Sequence, residues 1–146
     1  VAEYWNFNDH GASETNATRQ GVKIVAAPAD HAYLDQKYTA QTTLGLNWAG
    51  DIEVEDAYAW DPTDGGRVSD SDVLGVEGPL WSETLHTMAD IEYMAWPRMA
   101  GIAEIGWTPK AERNWTTYKP RLAAQAPRWD EMGVNFYRSS QVPWAS

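Results

Sequence analysis

The chain has 146 residues, no Cys, 9 Trp and 7 Tyr, with 11 Lys+Arg against 21 Asp+Glu and a formal net charge of -10. This charge argues against nucleic acid and anionic membranes as partners, because both are bound through clusters of Lys and Arg. The absence of Cys excludes disulfides, thiolate metal sites and a Cys nucleophile. The length fits one ordinary domain but falls short of the roughly 250 residues of a complete (β/α)8 barrel.

The start of the chain predicts a strand rather than a mobile terminus. Residues 1–5 are rich in aromatic side chains, and a polar loop follows them. The first residue is not Met, and the first eleven residues lack the basic start and apolar centre of a signal peptide. No stretch approaches the roughly 20 apolar residues that span a membrane. We therefore expect the chain to be a fragment that begins within mature protein.

The next elements predict a strand–helix–strand unit followed by a long loop. Residues 13–20 suit a short helix capped by Ser13 and ended by Gly21. Residues 22–27 are β-branched and apolar, as in a buried parallel strand. Residues 28–75 sustain no period and contain many Gly and Pro. A loop of this length inside a compact domain is usually functional.

A further strand and two helical segments complete the pattern. Residues 73–78 predict the strand, and Thr87 with Asp90 fits a capping box at the start of a helix. Apolar residues then recur at helical spacing up to residues 107–109, with a kink expected at Pro97.

A last amphipathic helix is predicted over residues 111–132, broken at Pro120 and Pro127. The order β, α, β, long loop, β, α, α is that of the closing third of a larger α/β barrel. We therefore predict an α/β fold in which residues 1–146 form one incomplete domain, the C-terminal portion of a (β/α)8 TIM barrel with about its last three strands.

Aromatic and acidic residues follow each predicted strand, at the end where such barrels place their active sites. They are Trp5 after the first strand, Tyr33, Asp35 and Trp48 after the second, and Trp81 and Glu83 after the third. Indole rings pack on the apolar faces of sugars, and carboxylates accept hydrogen bonds from sugar hydroxyls. The alternatives are aromatic side chains that fill the core and carboxylates that lie in solvated loops or near a helix start.

Five segments in order resemble the glycoside hydrolases of family 20, the β-N-acetylhexosaminidases, and especially the bacterial enzymes. They are AP.D..YLD at 27–35, LGL.WAG at 44–50, VEDAYAWDP at 54–62, GVEGPLWSE at 75–83 and IEYMAWPRMAGIAEIGW at 91–107. The resemblance implies exo-hydrolysis of terminal β-linked N-acetylglucosamine or N-acetylgalactosamine with retention. In that mechanism the substrate's own acetamido group attacks and forms an oxazolinium intermediate.

The resemblance also assigns roles to the residues that follow the strands. Tyr33 matches the hydroxyl that holds the acetamido carbonyl, and its alternative role is a buried phenol bonded to the backbone. The indole box around the sugar and its acetamido methyl corresponds to Trp5, Trp48 and Trp81. Acceptors for sugar hydroxyls correspond to Asp35 and Glu83.

The chain departs from the family in lacking the strand that carries its catalytic Asp-Glu pair, as well as the Arg that clamps the sugar. Asp130-Glu131 does not replace this pair, because it lies in a polar helical stretch just before Gly133. We therefore expect the chain alone to be inactive and its partners to be the N-terminal part of the barrel and an N-acetylhexosamine-containing oligosaccharide or glycoconjugate. The rival hypothesis is a non-catalytic sugar-binding or structural piece. The location of the complete protein stays open, with secretion from a bacterium as the expectation.

No metal or cofactor is expected. Four carboxylates crowd one loop, at Asp61, Asp64, Asp70 and Asp72. Their spacing does not fit a calcium loop, which favours a solvated turn. The three His residues also lack the spacing of metal ligands.

Overall fold

Three short parallel strands organise the protein, for which a computed structural model describes residues 1–63 and 67–144. The strands lie in the order β1 (Ala2–Tyr4), β2 (Ile24–Ala26) and β3 (Val73–Val76). Glu3 lies opposite Val25, which in turn lies opposite Gly75 after a register shift in the β2–β3 pair. Because all three strands run in the same direction, the loops that follow them meet at one edge of the sheet. The predicted α/β class and all three strands are confirmed.

The helix between the first two strands, α1 (Ala12–Arg19), packs against both of them. Its predicted cap was wrong, because the N-cap residue is Gly11 and Ser13 lies within the first turn. The carboxylate of Asp9 instead satisfies backbone N–H groups at the N-terminus of α1, accepting hydrogen bonds from Ser13 N at 3.1 Å and Gly11 N at 3.0 Å. The helix ends before Gly21, whose φ of +79° is the left-handed conformation that suits glycine.

The connection from β2 to β3 contains one short helix, α2 (Ala29–Ala32), and is otherwise irregular over most of its described length. It folds back on itself through backbone hydrogen bonds from Leu46 N to Asp35 O at 2.8 Å and from Lys37 N to Leu46 O at 2.7 Å. A further bond from Leu34 N to Pro79 O, at 2.7 Å, ties it to the loop that follows β3. The predicted long loop is thus an ordered segment with its own hydrogen bonds.

The helical segment after β3 is two helices, α3 (Met88–Ala95) and α4 (Arg98–Trp107). The capping box of Thr87 and Asp90 is present as predicted, and α4 ends at Trp107. The predicted kink is a complete break, because Trp96 before Pro97 has extended backbone angles (φ -102°, ψ 135°). A residue that precedes proline is sterically pushed out of the helical region, which explains the break.

Two further helices, α5 (Trp115–Ala123) and α6 (Ala126–Glu131), replace the single helix predicted over 111–132. The α5 helix begins late because Asn114 caps it, accepting hydrogen bonds from the backbone N–H groups of its first turn. The break predicted at Pro120 was wrong, since this exposed residue lies inside α5, whose opposite face is buried through Tyr118 and Leu122. Pro127 lies in the first turn of α6, where a backbone N–H has no acceptor within the helix. Proline at this position therefore costs no helical hydrogen bond.

Two groups of buried side chains form the core. One packs the β2–β3 connection on α4 through Leu34, Tyr33 and Ile102. The other joins the helices through aromatic rings, among which Tyr58 and Tyr118 stack with centroids 4.3 Å apart. Within residues 1–63 and 67–144, no helix combines the length and apolar character needed to cross a membrane.

Arg98 at the start of α4 fastens the β2–β3 connection to the helices. Its side chain is fully buried and its guanidinium lies 3.8 Å from the centre of the Tyr38 ring. It donates hydrogen bonds of 2.6–3.0 Å to four backbone carbonyl oxygens, those of Leu34, Gln36, Ile52 and Met94. Burial lowers the pKa of Arg98 from its usual value. Three of the four acceptors lie in the connection, so one side chain fixes the course of that loop.

We expect Arg98→Met to lower the free energy of unfolding by about 3 kcal/mol, because buried carbonyl groups that lose their donor cost about 1 to 3 kcal/mol each and removal of a buried charge returns only part of this. Urea unfolding measures the change. The matched control is Arg128→Met on the exposed face of α6, which should stay within about 0.5 kcal/mol of the wild type. Equal losses in the two variants would contradict the fastening role.

Candidate functional site

The six residues predicted from the sequence line one cleft of about 380 Å³ at the edge where the strands end. They are Trp5, Tyr33, Asp35, Trp48, Trp81 and Glu83. The seventh residue that lines the cleft, Glu3, comes from β1 itself. Three loops that are distant in the sequence therefore contribute to the same site.

The three indoles at the cleft are half-exposed, with Trp5 at 47%, Trp48 at 50% and Trp81 at 55%. Within this chain they therefore do not fill the core. Trp48 stands edge-on to the ring of Tyr33, with centroids 5.8 Å apart, and stacks on Phe7 at 6.4 Å. Apolar rings of this size exposed together are unusual on a protein surface unless they bind something.

Tyr33 lies directly after α2 and is only 6% exposed. Burial raises the pKa of its hydroxyl, and the nearby Glu3 carboxylate adds to this, while a side-chain hydrogen bond with Trp81 acts in the opposite direction. With its pKa raised, the phenol stays protonated at neutral pH. It can therefore donate a hydrogen bond to an acceptor in the cleft.

Asp35 is buried at 2% exposure, so its alternative role as a solvated loop residue is wrong. One carboxylate oxygen accepts a hydrogen bond from Gln36 Nε2 at 3.0 Å, and the other accepts a longer one from Trp81 N at 3.4 Å. Burial raises the pKa of Asp35, these hydrogen bonds oppose the rise, and Glu83 adds a smaller increase. The carboxylate is thus held at the wall of the cleft by a residue of its own loop and by the loop that follows β3.

Glu3 was missed by the sequence analysis. Partial burial and the nearby Glu77 carboxylate raise the pKa of Glu3. The alternation of strand side chains places Glu3 on the opposite face from Ala2 and Tyr4, and this period could have identified it. With Asp35 and Glu83 it gives the described lining three carboxylates and no Lys or Arg.

Gly45 allows the loop that carries Trp48 to pass close beneath Asp35. Its φ is +86°, and a Cβ atom there would lie 2.5 Å from both Asp35 O and the Met94 Cε atom. Its N–H donates to Thr84 Oγ1 at 2.8 Å, which connects it to the loop after β3. Glycine is therefore required for its conformation and for its lack of a side chain.

We expect Gly45→Ala to cost about 1 to 3 kcal/mol more stability than Gly50→Ala, because overpacking adds to the backbone strain that both variants share. Gly50 has a φ of +105°, and no atom lies within 4 Å of the place that an added methyl group would take, so it is the matched control. Urea unfolding of the two variants measures the difference. If they unfold alike, the close approach at residue 45 does not constrain the loop.

The other acidic groups lie outside the cleft. Asp130 in α6 pairs with Arg138 at 2.7 Å, which agrees with the rejection of Asp130-Glu131 as a catalytic pair. In the acidic loop, Asp61 pairs with Lys110 at 2.5 Å and Asp72 with Lys23 at 2.7 Å, while Asp64 lies outside the described residues. Over the described chain, no group of three His, Asp or Glu residues could hold a metal ion.

A parallel α/β layer with exposed indoles and carboxylates at the carboxyl ends of its strands has the features of a carbohydrate site in an α/β enzyme. The model of the glycosyl hydrolase family 20 catalytic domain matches residues 1–110. The chain belongs to this family. The resemblance seen in its sequence segments is thereby confirmed.

Several relatives are similar along almost the whole chain. A β-N-acetylhexosaminidase of Cellulomonas fimi is 41% identical over 145 residues, which are 99% of this chain and 29% of that protein. The structure of a GH20 β-N-acetylhexosaminidase from Streptomyces coelicolor A3(2) matches with a TM-score of 0.92 and 46% identity, over 98% of this chain and 30% of that one. A mutant Streptomyces plicatus β-hexosaminidase in complex with its product GlcNAc matches with a TM-score of 0.91 and 48% identity, at the same coverage of 98% and 30%. The chain thus spans less than a third of the length of these relatives.

Proposed function

We propose that this chain supplies half of the sugar pocket of an exo-acting β-N-acetylhexosaminidase, and that its sheet is the last part of a (β/α)8 barrel. The observation that carries the proposal is the convergence of three half-exposed indoles, a buried tyrosine and three carboxylates on one cleft. The names of the relatives and the GlcNAc bound to one of them support the choice of substrate. The ligand is a terminal β-linked N-acetylglucosamine or N-acetylgalactosamine.

The proposed reaction uses the substrate's acetamido oxygen as nucleophile. This oxygen attacks the anomeric carbon, the bond to the leaving-group oxygen breaks, and a general acid supplies the proton that the leaving group takes up. Water then opens the oxazolinium ring with retention of configuration. Tyr33 donates a hydrogen bond to the acetamido oxygen, and its raised pKa keeps the donor proton in place.

The remaining cleft residues bind and orient the sugar. The exposed faces of Trp5, Trp48 and Trp81 pack on the pyranose ring and the acetamido methyl group. Asp35 and Glu83 accept hydrogen bonds from sugar hydroxyls, which fixes the ring relative to Tyr33. Binding energy gained far from the anomeric carbon places the acetamido group for attack.

The general acid of this reaction comes from a part of the barrel outside this chain. The described lining of the cleft contains no Asp followed directly by Glu, and Asp130 pairs with Arg138 outside the cleft. Purified alone, the 146-residue chain is expected to leave an aryl N-acetyl-β-glucosaminide uncleaved. Clear turnover by this chain would show that the catalytic pair has been misplaced.

Tyr33→Phe tests the catalytic role, in a protein that carries this chain together with the acid–base pair. We expect kcat to fall about 30- to 1000-fold with a smaller change in KM, because a donor that acts mainly in the transition state contributes about 2 to 4 kcal/mol. Steady-state kinetics on an aryl N-acetyl-β-glucosaminide measure the change. Tyr137→Phe, in the aromatic cluster beside Tyr38, is the control and should leave kcat unchanged. An unchanged kcat for Tyr33→Phe would refute the role.

Glu83→Gln tests sugar binding separately from chemistry. Hydrogen bonds to a charged group contribute about 1.5 to 3 kcal/mol, so affinity for an N-acetylglucosamine-like inhibitor should fall about ten- to a hundredfold. Inhibitor titration and thermal melting are measured on the same variant. The exposed Glu131→Gln at the end of α6 is the control. Unchanged affinity with slightly earlier melting would make Glu83 a structural residue.

A further inference from the structure

We propose that Gln36 is a positioning residue that fixes Asp35 and Trp48 relative to each other and so sets the geometry of the sugar cleft. This inference rests on the proposed function for its consequence, but its geometric part stands on contacts of the described residues. Gln36 does not line the cleft itself and is completely buried.

The side-chain amide of Gln36 uses both of its ends. Its Nε2 donates to Asp35 Oδ2 at 3.0 Å, and its Oε1 accepts from Ala49 N, the residue after Trp48, at 3.1 Å. A carboxylate can only accept here and a backbone N–H can only donate, so the amide has a single productive orientation. One rigid planar group therefore spans the distance between two cleft walls.

The backbone of Gln36 is anchored as firmly as its side chain. Its carbonyl oxygen accepts from Arg98 Nη1 at 2.8 Å, and the residue forms a parallel bridge with Leu46. The backbone that carries the amide is thus anchored to α4. By contrast, the indole of Trp48 is half-exposed, and its aromatic contacts are with the rings of Phe7 and Tyr33.

Loss of this amide would release both walls. Asp35 Oδ2 would lose its hydrogen bond from Gln36, while the longer one from Trp81 N to Oδ1 would remain. The backbone N–H of Ala49 would lose its acceptor, so the turn that presents Trp48 would lose its tie to Gln36 and keep the backbone bonds at Leu46 and Ile52 on either side of it. Asp35 and Trp48 would both remain, but the direct link between them would be gone and their separation would be less tightly fixed.

The charged surroundings of Asp35 determine how the test responds to pH. Glu83 faces it from the loop after β3, the Arg98 guanidinium from α4 and the Tyr33 hydroxyl from its own loop. A carboxyl group placed at the buried residue 36 would hold its proton more tightly than usual, because both burial and the neighbouring Asp35 carboxylate disfavour its ionisation. At acidic pH such a carboxyl would donate to Asp35 through its O–H group.

Three variants distinguish a positioning role from a general loss of stability. For each variant, the affinity for N-acetylglucosamine is divided by that of the wild type. Gln36→Met keeps the volume but loses both hydrogen bonds, and should bind about ten- to a hundredfold more weakly at every pH. Gln36→Glu should bind the sugar like the wild type at about pH 5, where a neutral carboxyl group reproduces both contacts. Its affinity should fall toward about pH 8, because the introduced carboxyl group ionises beside Asp35. Gln141→Met is the matched control, because the Gln141 amide accepts from Glu55 N at 2.9 Å and anchors a loop segment away from the cleft.

Calorimetric titration with N-acetylglucosamine gives the affinities, in a protein that carries this chain with the rest of its pocket. The indole N–H resonance of Trp48, assigned through Trp48→Phe, gives a readout that needs no sugar. It should shift in Gln36→Met and stay in place in Gln141→Met.

The outcomes distinguish the two proposals. If the wild type binds N-acetylglucosamine but Gln36→Met binds within twofold of it, or if the Trp48 resonance does not move, the positioning role is overturned. If the wild type itself does not bind the sugar, the proposed function fails, and the Trp48 resonance alone decides whether Gln36 fixes the loop. An affinity of Gln36→Glu that does not change with pH relative to the wild type would also contradict the mechanism.

Discussion

The buried guanidinium of Arg98 is the interaction on which the cleft depends. An ionised group without water is costly unless its donors are matched, and here four carbonyl oxygens accept from the two Nη atoms while the guanidinium lies over the face of Tyr38. Its Nε–H is buried and has no hydrogen-bond partner among the described residues. Three of those carbonyls belong to the segment that carries Tyr33, Asp35 and Trp48. The segment contains little helix or strand, so the contacts with α4 and its own backbone hydrogen bonds together determine its shape.

The cleft combines two environments within a few residues. Its indoles are about half in solvent, while Tyr33 and Asp35 are buried below them. Burial raises the pKa of both groups, which favours a protonated phenol and weakens the acidity of the carboxyl. The indoles thus provide apolar contact area, and the polar groups beneath them can fix the orientation of a ligand. This arrangement suits a ligand with apolar faces and ordered hydroxyls.

The sequence alone was sufficient where the signal was local. The β-branched run before Pro28 identified β2, the Thr87–Asp90 pair identified the start of α3, and the residues after each strand identified the six cleft positions. It failed where a distant contact decided the outcome. Pro120 stays helical because the opposite face of α5 is buried, and nothing near Gln36 in the sequence shows that its amide joins Asp35 to Ala49. Arg98 could not be recognised as an anchor of the loop, since three of its four acceptors lie 46 to 64 residues earlier.

The loop between Asp35 and Leu46, whose two ends are joined by a parallel bridge, has a practical consequence. Its base is closed by the bond from Leu46 N to Asp35 O and by the glycine beneath it, whereas Ala40, Gln41 and Thr43 at its tip are exposed. Exposed loop tips accept added chain more readily than hydrogen-bonded bases do. A short peptide tag or a fluorescent label could therefore be inserted at this tip, only a few residues from the cleft, without disturbing the hydrogen bonds that hold the walls of the cleft.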